Sequence, residues 1–136
     1  MIKQRAVTLS CFAFVDDTDL IHSVQDPTIP TQQLLAEAQQ ALATWEGLIR
    51  ASGGALAPEK SYWYLVDVRR IGGKWRYANI AANPGELHLQ NGQFLDKRLE
   101  VNQANEALGI QIRPDCNMRD EVKYLQAKAI KWADAL

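Results

Sequence analysis

Four consecutive residues near the start of the chain, Phe14-Val15-Asp16-Asp17, join an aromatic side chain to two adjacent carboxylates. Neighbouring carboxylates supply the hard oxygen ligands that divalent cations such as Mg²⁺ take. Two such ions about 3.5–4 Å apart stabilise both the attacking and the leaving oxygen in phosphoryl transfer. That chemistry needs the acids gathered at one point, and a bend between paired strands does this. The flanks agree: residues 5–15 become steadily more apolar up to Cys11-Phe12-Ala13-Phe14-Val15, and Thr18 to Ser23 is a second short strand-like run. β-branched and aromatic residues on both sides of a two-aspartate break predict a hairpin with Asp16 and Asp17 at its tip. Asp17 and Asp19 alternate along one strand and so share a face; the plainer reading of Asp19 is a surface residue.

A second group is basic and aromatic. Arg69, Arg70, Lys74 and Arg76 are interleaved with Trp75 and Tyr77 around Gly72-Gly73, a two-residue hairpin signal. Such a hairpin can follow a nucleic-acid backbone and offer rings for stacking. Equally, it can be a solvated ribbon whose aromatics pack inward on alternate positions. Lys60, in a Gly- and Pro-containing loop, reads by itself as a solvated lysine. His22 and His88 have no partner at metal-ligand spacing, Ser10 and Ser61 have no triad arrangement, and no phosphate-binding glycine loop is present.

These groups need a scaffold. At 136 residues, with 47% hydrophobic and 23% charged residues, the chain suits one globular domain. The formal net charge of −1 excludes a strongly basic coat. Its distribution is uneven: residues 1–59 carry three basic and seven acidic side chains, residues 60–136 twelve and nine. No secretory or membrane-spanning segment is recognisable, and two cysteines, Cys11 and Cys116, read as small packing residues of a protein from a reducing, intracellular setting. Thr31 is placed to cap a helix running to about Ala51, with Leu34, Leu35, Ala38, Leu42, Trp45 and Ile49 as its apolar stripe and Gly53 and Gly54 as its stop. Tyr62 to Val66 reads as a buried strand continuing towards Arg70. Asn91-Gly92 predicts a type I′ turn between Leu87-His88-Leu89 and Phe94-Leu95. Ala107 to Ile112 reads as one further strand. A second helix follows, capped by Asn117, with Asp120 and Glu121 in its first turn and Met118, Val122, Leu125, Ala129, Trp132 and Leu136 as its core-facing stripe.

The order of these parts, CFAFVDDTDLI, an amphipathic helix, then GGALAPEKSYWYL, resembles the palm of reverse transcriptases, particularly those of eukaryotic retrotransposons. The resemblance covers roughly residues 5–70 and extends loosely to Leu108-Gly109-Ile110. It implies an α+β fold: a partial palm over 1–114, with an antiparallel sheet carrying the Asp-Asp hairpin and one packed helix, then a C-terminal helix over 115–136 against the same core, leading towards a thumb. It implies RNA-directed DNA polymerisation with Mg²⁺, a primer–template and a deoxynucleotide. Asp16 and Asp17 would be metal ligands, Phe14 would lie near the primer end, and Lys60 would offset charge on departing pyrophosphate. Leu108 and Gly109 would belong to the hairpin that grips the primer. The family also places an aspartate on an earlier strand, whereas none of residues 1–15 is acidic. The expectation is therefore a fragment of such an enzyme, inactive by itself, with the missing half or a second copy as a possible partner and no membrane contact. The alternative is a non-catalytic nucleic-acid-binding or scaffolding domain built on the 69–77 hairpin. A small metal-dependent phosphoesterase is a third reading.

Overall fold

The computed structural model describes residues 9–14, 17–24, 26 and 28–135. The fold is α+β. Among the described residues there are two helices and four separate two-stranded sheets, three antiparallel and one parallel. The single antiparallel sheet expected from the resemblance is not formed among them. The chain divides into two compact units, residues 1–61 with 84–97 and residues 62–83 with 98–136.

The first unit begins with β1 (Leu9–Phe14) and β2 (Asp17–His22), paired antiparallel from Leu9 opposite His22 to Phe14 opposite Asp17. Along β2, Asp17, Asp19 and Ile21 are exposed while Thr18, Leu20 and His22 are half-buried, the period-two signature of a one-sided ribbon. His22 places its Nε2 3.3 Å from Oε2 of Glu37, an ion pair when the imidazole is protonated, although neither ring nitrogen has a hydrogen-bond partner among the described residues.

That helix, α1, spans Thr31–Ala51. Thr31 is its first helical residue rather than its cap. Pro30, extended at φ −62° and ψ 146°, takes the cap position, and its carbonyl accepts the Gln33 and Leu34 N–H groups. Proline serves there because its fixed φ is already suited to the first turn. At the other end the expectation holds: Gly53 turns left-handed at φ 86°, its N–H reaches the Arg50 carbonyl and that of Gly54 the Ile49 carbonyl. These two bonds satisfy carbonyls that would otherwise be stranded.

The buried side of α1 is less apolar than its stripe predicts. Leu42 is buried, but so is Glu46, at 2% exposure. Glu46 Oε2 accepts the Gln90 N–H at 2.7 Å, and its other oxygen pairs with Arg50 at 2.8 Å. Two helical turns earlier, Gln39 accepts the His88 N–H and donates to the His88 carbonyl, each at 2.7 Å. The side chain of Gln90 donates to the Ala43 carbonyl. Helix and hairpin are thus joined by polar groups that imitate a strand edge. The hairpin, residues 87–95, buries Leu87, Leu89 and Leu95, each contributing about 1.5–3 kcal/mol through removal from water. Its turn is not type I′. Only Gly92 is left-handed (φ 81°), Gly92 N–H bonds to Leu89 O, and Leu89 N–H bonds to Gln93 O. This is the three-residue loop with a glycine bulge. Asn91 is held out of the left-handed region by its own side chain, which accepts the Gln93 N–H. Just before the hairpin, Gly85 passes Leu35 so closely that a Cβ would overlap it.

The second unit opens with β3 (Trp63–Tyr64), a far shorter strand than Tyr62 to Arg70 predicts. It pairs in parallel with β6 (Arg98–Leu99), Trp63 opposite Arg98. The Arg98 guanidinium lies 4.9 Å from the Trp63 ring and donates to the Asn83 carbonyl at 2.6 Å. Its burial lowers the guanidinium pKa somewhat. Tyr64 donates to the Gln103 carbonyl, and burial, reinforced by Tyr62, raises its phenol pKa. Trp63 and Tyr64 are half-buried; the buried apolar residues of the unit are Leu65, Ala78, Leu99 and Val101. After a break at residues 65–67 come β4 (Val68–Ile71) and β5 (Lys74–Tyr77), then, beyond β6, β7 (Asn105–Ala107) and β8 (Ile110–Ile112). Ala107 to Ile112 is therefore not one strand: Ala107 ends β7, residues 108–109 turn, and Ile110–Ile112 is β8.

The last element, α2, spans Arg119–Ala133. Asn117 accepts the Arg119 N–H, as a capping residue should, although Met118 occupies the cap position itself. Its first turn meets β8: Glu121, 8% exposed, accepts the Gln111 N–H at 2.6 Å. Arg113 grips Asp115 with two guanidinium nitrogens and Asp120 with a third. Beyond that turn the apolar stripe is not core. Met118, Val122, Leu125 and Trp132 are all exposed, Trp132 at 65%. Polar bonds to β8 fix the start of the helix, and amphipathicity alone does not bury the rest. Cys11 and Cys116 are also exposed rather than packed.

Two outcomes test these polar joints. Glu46→Ala, which strands the Gln90 N–H, is expected to cost about 2 kcal/mol in urea denaturation, with Arg50→Ala costing under about 1 kcal/mol because half-exposed arginine is screened. The Asp115 carboxyl is held below the ordinary aspartate range chiefly by its hydrogen bond from Arg113. A depressed folded pKa gives stability that is present above the ordinary value, about 3.9, and is lost as pH falls through the folded one. Asp115→Asn should therefore lower the urea midpoint at pH 7 and flatten its decline in acid.

Candidate functional site

The predicted site residues fall in four places. Phe14 ends β1 and stands opposite Asp17, the first residue of β2. Asp16 and the Phe14 side chain lie outside the described residues. Asp17 is exposed and, like Asp19, forms no ion pair among the described residues. A carboxylate in water with its lone pairs unoccupied is chemically suited to bind a hard cation. Among the described residues no group of three or more His, Cys, Asp or Glu side chains is assembled for a metal.

Lys60 belongs to the same unit as this tip. It is exposed, in the turn after Pro58, and its N–H bonds to the Ala57 carbonyl. The adjoining surface is an open depression of about 480 Å³ lined by Pro58, Glu59, Gln93, Phe94, Asp96 and Lys97. Its lining carries two acids, Glu59 and Asp96, and one cation, Lys97.

The basic-aromatic residues lie in the second unit, on the ribbon of β4 and β5. Its register sets Val68 opposite Tyr77, Arg69 opposite Arg76, Arg70 opposite Trp75 and Ile71 opposite Lys74. Gly72 and Gly73 close it with φ of 59° and 79°, the mirror-image turn that matches strand twist. Directly opposed residues share a face. One face thus carries Arg70, Trp75, Val68 and Tyr77, and the other Arg69, Arg76, Ile71 and Lys74. All eight residues are exposed, so the aromatics do not pack inward. Arg69 is engaged internally: it pairs with Asp67 at 2.7 Å and donates to Asn83 at 2.9 Å. Asn83, 6% exposed, donates in turn to Asp67. Arg70, Lys74 and Arg76 form no ion pair among the described residues.

Leu108 and Gly109 form the turn of β7 and β8, between paired Ala107 and Ile110. Both are left-handed, with φ of 51° and 79°, and Leu108 is 61% exposed. Glycine adopts that region freely, but a leucine Cβ crowds the next carbonyl, at a cost of about 1–2 kcal/mol. An exposed leucine in a strained position earns nothing from burial. Sequence reading picked out this dipeptide without detecting the turn, because Leu is not a turn-forming residue. Leu108→Asn, which tolerates the left-handed region, is expected to raise stability by about 0.5–1 kcal/mol in thermal unfolding.

Comparison of the chain with protein-family models, with curated proteins and with solved structures returns no match.

Proposed function

We propose that the chain is the metal-tip part of a reverse-transcriptase palm of retrotransposon type. In this reading Asp16 and Asp17 hold Mg²⁺ at the turn between β1 and β2. The observation that supports it is the register of that ribbon: Phe14 stands opposite Asp17, so the aromatic-x-Asp-Asp run coincides with the end of two paired strands. The order β1, β2, α1 then follows the order of parts in that family.

Each of this chain's residues has a plain physical task in the reading. Asp17 is the first residue of β2 and presents its carboxylate to solvent from a paired strand. At the other end of the ribbon, His22 Nε2 lies 3.3 Å from Oε2 of Glu37 on α1. Asp17 fits the ion by its exposure and its lack of an internal cation. When bound, Mg²⁺ supplies charge stabilisation for nucleotidyl transfer. Lys60 supplies an ammonium for a phosphate leaving group. The family carries a further metal-binding aspartate on an earlier strand, and none of residues 1–15 is acidic; in this reading the chain by itself extends no primer.

Mn²⁺ binding followed by water-proton relaxation checks the metal assignment. Asp16→Asn and Asp17→Asn should each weaken binding about tenfold, as expected when one charged oxygen ligand is lost, while Asp19→Asn leaves it within about twofold. Equal loss in all three variants, or none, overturns the assignment. Primer extension by residues 1–136 alone, with labelled deoxynucleotide, should give no product.

A further inference from the structure

We infer that the β4–β5 ribbon is a binding platform for single-stranded nucleic acid, with Trp75 as its stacking ring. This stands apart from the metal-tip reading, since it uses residues of the other unit and requires no divalent ion.

Trp75 is the most exposed large hydrophobic side chain among the described residues, at 72%, and Tyr77 on the same face is exposed at 46%. They stand two residues apart on one strand, with Cα atoms spaced by about 6.8 Å, so both rings are offered to bases along one face. Arg70 is the cross-strand partner of Trp75 on the same face, so its long side chain can reach the phosphate of a base stacked on the ring. Planar guanidinium also stacks on bases itself.

The opposite face strengthens the charge rather than the stacking. Lys74 and Arg76 project from the other side of a ribbon only two strands wide. Their long side chains reach phosphates at its edge. The one acid within this stretch, Asp67, is already engaged by Arg69 and Asn83, so it does not neutralise Arg70, Lys74 or Arg76. Three cations without internal partners, beside two exposed rings, complement a polyanion that carries π-faces. An acidic protein surface satisfies the cations but not Trp75 and Tyr77. A duplex satisfies the cations but keeps its bases stacked away from the rings.

Fluorescence anisotropy with labelled oligouridylate, on the full chain in EDTA, tests the assignment. Trp75→Ala should weaken binding about tenfold and Trp75→Phe much less, since a ring remains. Arg70→Gln, Lys74→Gln and Arg76→Gln should each lower the steepness of the salt dependence by about one phosphate contact. All four side chains are exposed, so circular dichroism and melting temperature should stay at wild-type values. Asp16→Asn with Asp17→Asn should leave affinity unchanged, which separates this result from the metal tip. The proposal is overturned if Trp75→Ala and Trp75→Phe both bind like wild type, if an RNA duplex binds more tightly than oligouridylate, or if polyglutamate displaces the RNA charge for charge.

Discussion

The first unit depends on a buried carboxylate, Glu46, and a half-buried amide, Gln39, on the same side of α1. Glu46 and Gln39 take hold of backbone groups of the 87–95 hairpin that no strand is present to satisfy. Without them, the part-buried N–H groups of His88 and Gln90 would each lose this acceptor, a penalty of about 1 kcal/mol apiece. The hairpin enters the unit only after the chain has left it at residue 61 and returned at residue 84. It therefore brings no short-range bias of its own towards α1. Directional bonds supply that bias, and the leucines Leu87, Leu89 and Leu95 add burial once the register is fixed.

The second unit uses the same device with opposite charges. Arg113 and Glu121 connect the start of α2 to β8 and the turn after it, and Arg98 connects β6 to Trp63 and Asn83. Short two-stranded sheets bury little apolar surface by themselves. Side chains that reach across to a neighbouring backbone make up the difference. They also leave the rest of α2 exposed, since the contact is made by its first turn alone.

What was legible in the sequence was local. Gly72-Gly73 defines its own turn because two adjacent residues without Cβ atoms need no help from elsewhere. Gly53-Gly54 ends α1 for the same reason, and the aspartate break between two apolar runs marks the β1–β2 ribbon. What was not legible depended on distant partners. Glu46 looks like an ordinary solvated helix residue until Gln90 is beside it. The parallel pairing of Trp63 with Arg98 joins residues 35 positions apart and has no local signal. Thr31 lost the cap position to a proline next to it, and Asn91 was kept from a type I′ turn by its own bond to Gln93. The stripe on α2 has the right period for a core helix, but period specifies which residues share a face, not whether anything covers it. Of the candidate site, the pairing of two strands as β1 and β2 and the hairpin of residues 68–77 were readable, whereas Asp17, expected at a tip, is the first residue of β2 and Asp16 lies outside the described residues. The strained turn at Leu108 was not, because leucine carries no turn signal.

The charged residues divide by task. Glu37, Glu46, Asp67, Asp115 and Glu121 are engaged with other parts of the fold, as are Arg50, Arg69, Arg98 and Arg113. Folding accounts for these, and each is at least partly desolvated, so its charge is offset where it lies. Asp17, Asp19, Arg70, Lys74 and Arg76 have no such engagement among the described residues. The carboxylates lie on the β2 ribbon of the first unit and the cations on the β4–β5 ribbon of the second. Charges that contribute nothing to folding keep their full hydration, and hydrated charge on a braced strand is available to an external ion at little conformational cost. The same holds for Trp75, whose ring gains nothing from the interior. Both functional readings rest on this separation: an acidic ribbon suited to cations and a basic, ring-bearing ribbon suited to polyanions, each built on side chains the fold does not consume.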